Sequence, residues 1–310
     1  MDILGTGRAE WFSETRPREQ KNKTPMIDTI SNSLFSMQGI FFSDPAGQTL
    51  EPTRELWFVF QGEKLLTTTR GQDFILPSAL DLENLLPAAD HERTFGAYNG
   101  HKCRLARLDD DAQLPDKVVP LRLRQTFGHM DDDMFRLAGR ALQLLHWDTS
   151  NQFCGRCGSV LTESEREPVK QCLQCSLTHY PRLSPAVIMT VERGHEILLA
   201  RSHHFPKGMY STLAGFVEPG ETLEEAVSRE IREESGVRVS RIQYFGSQPW
   251  PFPHSLMIGF VTRFQDGEIR MQSSEIEDAR WFSRDKMPLL PSAMSIARAL
   301  INNFLQRTED

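Results

Sequence analysis

The sequence predicts an α+β or α/β chain in three parts, and three observations predict it. Short aromatic and β-branched runs, separated by Gly, Pro and Asp, fill residues 27–130. Two Cys-x-x-Cys pairs stand fourteen residues apart near the middle of the chain. From Tyr180 onward, strand-like runs alternate with helix-period segments at Leu223–Glu234 and Ser292–Leu305.

At 310 residues the chain is long enough for two domains with sizeable cores. Its 25% charged and 39% hydrophobic residues are those of an ordinary globular protein. The net charge of −7 argues against binding nucleic acid or anionic membranes through an overall field. A polyphosphate ligand therefore needs local cations. No apolar run approaches the roughly 20 residues of a membrane span, so no membrane partner is expected. Residues 1–26 are polar, without periodicity or an apolar h-region, and read as a disordered leader; Met26 is an alternative start. With no address signal, the expected compartment is cytoplasmic.

Within residues 27–130, the β-rich N-terminal domain, Gly39–Phe42, Leu56–Phe60 and Phe74–Leu76 are strand candidates. Asn99-Gly100, between Phe95–Tyr98 and Cys103–Leu105, marks a type I′ hairpin. Cys103 reads as a buried strand residue, and His91 and His101 as surface polar groups. No catalytic constellation stands out, so a packing or dimerisation domain is expected. Asp131 to Asp133 can cap a linking helix over residues 131–150, with Leu137, Ala141, Leu144 and Leu145 as its apolar stripe.

Cys154, Cys157, Cys172 and Cys175 follow, within a ribbon predicted over residues 151–180. Each Cys-x-x-Cys turn lets two thiolates meet one ion, and four soft thiolates close a tetrahedron around one structural Zn²⁺. A catalytic zinc would need an open position, and a redox pair is normally single. A nucleic-acid role for the ribbon is disfavoured by Glu163, Glu165 and Glu167 against Arg166 and Lys170.

Residues 181–310 form the last part. Ala186–Val191 and Ile197–Ala200 are strands around an Arg193-Gly194 turn; Val237–Phe245, Leu256–Thr262 and Ala279–Phe282 are further strands. The helix at Leu223–Glu234 is chemically odd. Leu223, Ala226, Val227 and Ile231 share one apolar arc, yet Glu230 and Glu234 fall inside it and Glu233 at its edge. Burying carboxylates among aliphatics costs several kcal/mol unless a cation compensates them. Like charges at i,i+3 and i,i+4 also repel. A hard divalent cation with oxygen ligands, Mg²⁺ or Mn²⁺, fits the cluster. Beyond the helix, three prolines alternate with Trp250, Phe252 and His254. They either stiffen an extended segment that presents aromatic walls, or a loop whose aromatics pack into the core.

Gly215, five residues, Glu221, seven residues and then Arg229-Glu230-Ile231-x-Glu233-Glu234-x-Gly236-Val237 resembles a complete Nudix box. Ser247–Ser255, SQPWPFPHS, is similar to the SQPWPFPxS signature of the NADH pyrophosphatase subfamily, which also carries a four-cysteine ribbon directly before its Nudix domain. The resemblance covers residues 124–310. It implies a Nudix fold, a mixed sheet sandwiched between helices. It also implies divalent-metal-dependent hydrolysis of the diphosphate bond of NADH or NAD⁺ to nicotinamide mononucleotide and AMP, with NAD-capped RNA as a further substrate, by a homodimer. It assigns catalysis to Glu230, Glu233 and Glu234, with Glu275 and the carbonyl of Ala214 as further Mg²⁺ or Mn²⁺ ligands. Glu277 and Asp278 are alternatives to Glu275. Substrate contacts fall to Glu167, Tyr180, Phe216, Gln248, Pro249, Trp250, Pro251, Phe252, Pro253, His254, Ser255 and Ala297. Arg229 is expected to orient the glutamates, and Arg122 and Arg124 to supply positive charge. A Nudix enzyme for ADP-ribose or diadenosine polyphosphates is the alternative, and a non-enzymatic nucleotide sensor the third reading.

Overall fold

The computed structural model describes residues 55–164, 168–271 and 275–307, with the backbone of 40–41. The leader predicted at 1–26 and Glu167 lie outside the described residues.

The N-terminal sheet holds β1 (Ile40–Phe41), β2 (Glu55–Gln61), β3 (Lys64–Arg70), β4 (Asp73–Ile75), β5 (Asp90–Tyr98), β6 (His101–Leu108) and β7 (Val119–Arg122). Their order is β1-β5-β6-β2-β3-β4, with β7 also on β3. Asn99 and Gly100 join β5 to β6 at φ +48° and +79°, as a type I′ turn requires. Short α1 (Ala79–Leu82) and α2 (Leu123–Thr126) precede α3 (Asp132–Ser150), which Asp131 caps by accepting from the N–H groups of Asp133 and Met134. The pleat divides the side chains. Phe58, Phe60, Leu65, Cys103 and Leu105 pack on Leu137, Ala138, Ala141 and Leu145 of α3. Val59, Leu66, Ala106 and Leu108 pack on the other face with Leu82 and Leu85. Each such buried Leu or Phe contributes about 1.5–3 kcal/mol. The predicted linking helix thus also closes the N-terminal core.

His91 is half-buried rather than freely exposed. Its Nδ1 bonds Asp148, whose side chain is buried, and Lys170 joins the same carboxylate at 2.5 Å. Lys170 Nζ also donates to the carbonyls of Asp148 (2.8 Å) and Asn151 (3.0 Å). A buried ammonium needs such partners. They fasten the ribbon strands β8 (Leu161–Glu163), β9 (Lys170–Cys172) and β10 (Thr178–His179) to the end of α3.

The C-terminal sheet contains β11 (Ser184–Arg193), β12 (Glu196–Ser202), β13 (Leu213–Phe216), β14 (Arg238–Trp250), β15 (Ser255–Asp266) and β16 (Ile276–Ser283), with α4 (Leu223–Ser235) and α5 (Ile296–Gln306). The order is β14-β15-β11-β12-β16, with β13 also paired to β11. β11 runs parallel to β15 and antiparallel to its other partners, so the sheet is mixed. Alternation again assigns the faces. Val187, Met189, Val191 and Leu198 pack with Ala226, Val227 and Ile231 of α4. Ile188 packs with Ile296 and Leu300 of α5, and Ile197 and Leu199 with its Ile301 and Phe304. The sheet is therefore sandwiched between helices.

The proline-aromatic segment combines the two readings, extended through Trp250 and turned beyond it. β14 is an edge strand and continues through Pro249 to Trp250, where a missing N–H is tolerated. The chain then turns over 251–254 and returns as β15.

Candidate active site

The site is built on α4. Thr222 and Glu225 form a capping box at its start, and Gly236 ends it at φ +77°. Between these ends Ala226, Val227 and Ile231 are fully buried. Glu234 is 8% exposed, Glu230 half-buried and Glu233 exposed. The row of acids thus climbs from core to solvent, as the helix period predicts.

β13 crosses this row so closely that any side chain at its third residue would displace the Glu230 carboxylate. A Cβ on Gly215 would lie 1.9 Å from Glu230 Cδ. Arg229 ties the surroundings together. It holds Glu221 through Nε (2.5 Å) and Nη2 (2.9 Å), Glu230 and Glu233 through Nη1 (2.8 and 3.0 Å), and donates to the Phe216 carbonyl (2.9 Å). The Arg229 guanidinium holds Glu221 at about 2, well below the usual carboxylate range.

Glu234 stands apart from this network. Its Oε2 is buried with no hydrogen-bond partner among the described residues. Burial first, then the negative charges of Glu230 and Glu275, push its carboxyl up to about 8, although the Ala214 N–H donates to it. Glu234, Glu275 and Ala214 line one cavity of about 230 Å³, with Ser202, Phe205 and Thr212 on its walls. The nearby acids are committed elsewhere: Glu277 pairs with Arg201 at 2.7 Å, and Asp278 bonds Tyr210 and Arg280. Of the three candidates, Glu275 is the one that faces Glu234. An orphaned, buried carboxylate oxygen beside two further carboxylates fits a hard divalent cation, Mg²⁺ or Mn²⁺.

The acid row has a pH signature. With no cation present, folded Glu234 keeps its proton from the unfolded value near 4.5 up to about 8. The folded state then binds more protons than the unfolded one, so stability falls as pH rises through that window. The same deprotonation creates the ligand, so the rise in Tm on adding Mn²⁺ is expected to be larger at pH 8 than at pH 5.5. Equal shifts, measured by calorimetry, would show that Glu234 does not bind the ion.

The second cavity, about 260 Å³, lies between α3 and the β14–β15 hairpin. Phe135, Arg136 and Arg140 line it from α3, and Gln248, Pro249, Pro251 and Ser255 from the hairpin. Nothing in the local sequence of α3 marks the two arginines; only the tertiary packing brings them to the hairpin. The other residues of the segment are placed differently. Phe252 packs on the N-terminal core, and Trp250 meets it edge to face at 5.1 Å. The Arg124 guanidinium covers both rings, 4.1 Å from Phe252 and 5.2 Å from Trp250. His254 bonds Ser184 at 3.1 Å, and Pro253 sits beside it in the turn. The Gln248 amide accepts from the Ile296 N–H and donates to the Met294 carbonyl, which braces the start of α5. Ala297 is buried in the core, while Tyr180 and Phe216 are 69% and 59% exposed.

Cys154, Cys157, Cys172 and Cys175 bring their Sγ atoms within 4.8 Å of one another. The Cys154–Cys175 and Cys157–Cys172 contacts are 3.6 and 3.4 Å. Zn–S bonds of about 2.3 Å in a tetrahedron need sulfur spacings near 3.8 Å, so the set fits Zn²⁺. One zinc per chain is expected by metal analysis. Its removal is expected to loosen the ribbon, lowering Tm, rather than to abolish a chemical step.

Three family descriptions match in order: NADH pyrophosphatase-like rudimentary NUDIX domain at residues 54–147, NADH pyrophosphatase zinc ribbon domain at 149–180 and NUDIX domain at 181–304. A protein of Pseudomonas aeruginosa named NAD-capped RNA hydrolase NudC is 50% identical over 216 residues, covering 70% of this chain and 77% of its own. One of the same name from Chromobacterium violaceum is 44% identical over 257 residues, covering 83% and 94%. Among solved structures, a NUDIX hydrolase from Nitrosomonas europaea is similar at 25% identity and a TM-score of 0.39, covering 44% of this chain and 80% of that one.

Proposed function

The chain belongs to the Nudix hydrolases of the NADH pyrophosphatase type, and from that premise we propose that it hydrolyses the diphosphate bond of NADH or NAD⁺ to nicotinamide mononucleotide and AMP, and removes the NAD cap from RNA. The observation that carries this reading is the partnerless Glu234 Oε2, buried in one cavity with Glu275 and next to Glu230. Left charged and unpaired it costs several kcal/mol.

In this reading Glu230, Glu233, Glu234 and Glu275, with the Ala214 carbonyl, would hold Mg²⁺ or Mn²⁺. Such a cation, when bound, would supply positive charge at the diphosphate and lower the pKa of a water beside it. Arg229 keeps Glu230 and Glu233 oriented. Gly215 lets the backbone approach the acids.

The second cavity takes a nucleotide half of the substrate. Its hairpin wall, Gln248 to Ser255, is preorganised by the N-terminal domain behind it, which limits the ordering cost of binding. Phe216 and Tyr180 offer exposed rings on which a base can stack. Glu167 completes the proposed contacts, whereas Ala297, packed in the core, acts only by supporting the start of α5. The chain acts as a cytoplasmic homodimer, with domains at 27–130, 131–150, 151–180 and 181–310.

The test is turnover of NADH, NAD⁺, ADP-ribose and NAD-capped RNA with Mn²⁺, and identification of the products by mass. Nicotinamide mononucleotide and AMP are expected from NAD⁺, and the reduced mononucleotide and AMP from NADH. Equal or faster cleavage of ADP-ribose would overturn the nicotinamide assignment.

A further inference from the structure

Arg201 ends the regular part of β12, and its side chain is 13% exposed. Nε donates to Glu277 Oε2 at 2.7 Å. Nη2 donates to the Phe205 carbonyl at 3.0 Å, and Nη1 to the carbonyls of Pro206 and of Met209, the latter at 3.4 Å. One side chain thus grips an acid on β16 and three carbonyls of the 205–209 loop. Both gripped segments border the cation cavity: the loop through Phe205, and β16 through Ile276 and the preceding Glu275.

The pairing of β12 with β16 breaks at this point. Arg201 stands opposite Asp278 and Ser202 opposite Ile276, so Glu277 is the extra residue of a bulge. A bulge re-aims the residues beside it. Without it, a shift of one residue along β16 would send its side chains to the other face of the sheet. Three acids stand within four residues here, so register decides which one reaches Glu234.

We propose that Arg201 is a positioning residue for the cation site: its grip on Glu277 and on the 205–209 carbonyls fixes the bulge that sets Glu275 beside Glu234. The inference rests on the reading that Glu234 and Glu275 hold a divalent cation.

The experiment measures Mn²⁺ binding to the full chain by calorimetry, without substrate, for wild type, Glu275→Gln, Arg201→Gln, Glu277→Gln and the Arg201→Gln/Glu275→Gln double variant. Arg201→Gln is expected to weaken Mn²⁺ binding about 10-fold, as loss of a partner behind a metal ligand does. Glu277→Gln weakens it by less. On the Glu275→Gln background, Arg201→Gln adds nothing, because its effect runs through Glu275. Additive losses would overturn the proposal, since a merely structural role is indifferent to Glu275. If Glu275→Gln alone leaves Mn²⁺ affinity unchanged, Glu275 is not a ligand and the underlying reading fails instead. Should circular dichroism show Arg201→Gln unfolded, Glu277→Gln decides, and unchanged affinity in that variant overturns the proposal.

Discussion

Glu234→Gln is expected to lower kcat by roughly 10³-fold or more while leaving the chain folded. The size follows from the several kcal/mol of charge stabilisation that a bound cation supplies, at about 1.4 kcal/mol per factor of ten. The fold survives because Gln has the same shape. The uncharged amide also removes the burial penalty that pushes the Glu234 carboxyl up to about 8. The Tm of the metal-free variant at pH 8 is therefore expected to match or exceed wild type. KM for NADH is expected to change little, because the base contacts lie on other residues. Near-normal kcat in a folded variant would remove Glu234 from the mechanism.

Gly215→Ala is expected to be nearly as damaging, for a steric reason. The new methyl would overlap the Glu230 carboxylate, with 1.9 Å between Cβ and Cδ. β13 cannot retreat easily, because it is paired with β11 from Ala186↔Phe216 to Met189↔Leu213. Glu230 must then leave its place and its 2.8 Å contact with Arg229. A kcat loss of about 10²-fold or more is expected, with little loss of stability, because the displaced group is the end of a flexible side chain. In a Glu230→Ala background the same substitution is expected to cost little more, since the obstructing carboxylate is gone. Wild-type kcat in Gly215→Ala would show that β13 does not constrain the acid.

Much of this site was legible in the sequence because its rules are local. The caps of α4, the acids inside its apolar arc and the Asn99-Gly100 turn each follow from spacing within one element. The four cysteines are legible for a similar reason: each thiolate pair sits in one short turn, and metal chemistry brings the pairs together. What spacing cannot show is contact across the chain. Arg201 and Glu277 are 76 positions apart, and Gln248 and Met294 are 46 apart. The sequence offered three acids after Met271 as ligands; the bulge at Glu277 that separates Glu275 from the others is a product of sheet pairing. His91 was misread as a surface group because its partner Asp148 lies at the far end of α3. The proline-aromatic segment was half right. Its strand portion ends at Trp250, and Phe252 belongs to a core supplied by the other domain.

The central claim is that the α4 acids and Glu275 hold divalent cations on the substrate diphosphate. Its most direct test is anomalous diffraction from crystals grown with Mn²⁺ and a non-hydrolysable NAD⁺ analogue. Anomalous peaks are expected at coordination distance from Glu230, Glu234 and Glu275, beside the diphosphate oxygens. Mn²⁺ peaks remote from these three carboxylates, with the analogue bound, would contradict it.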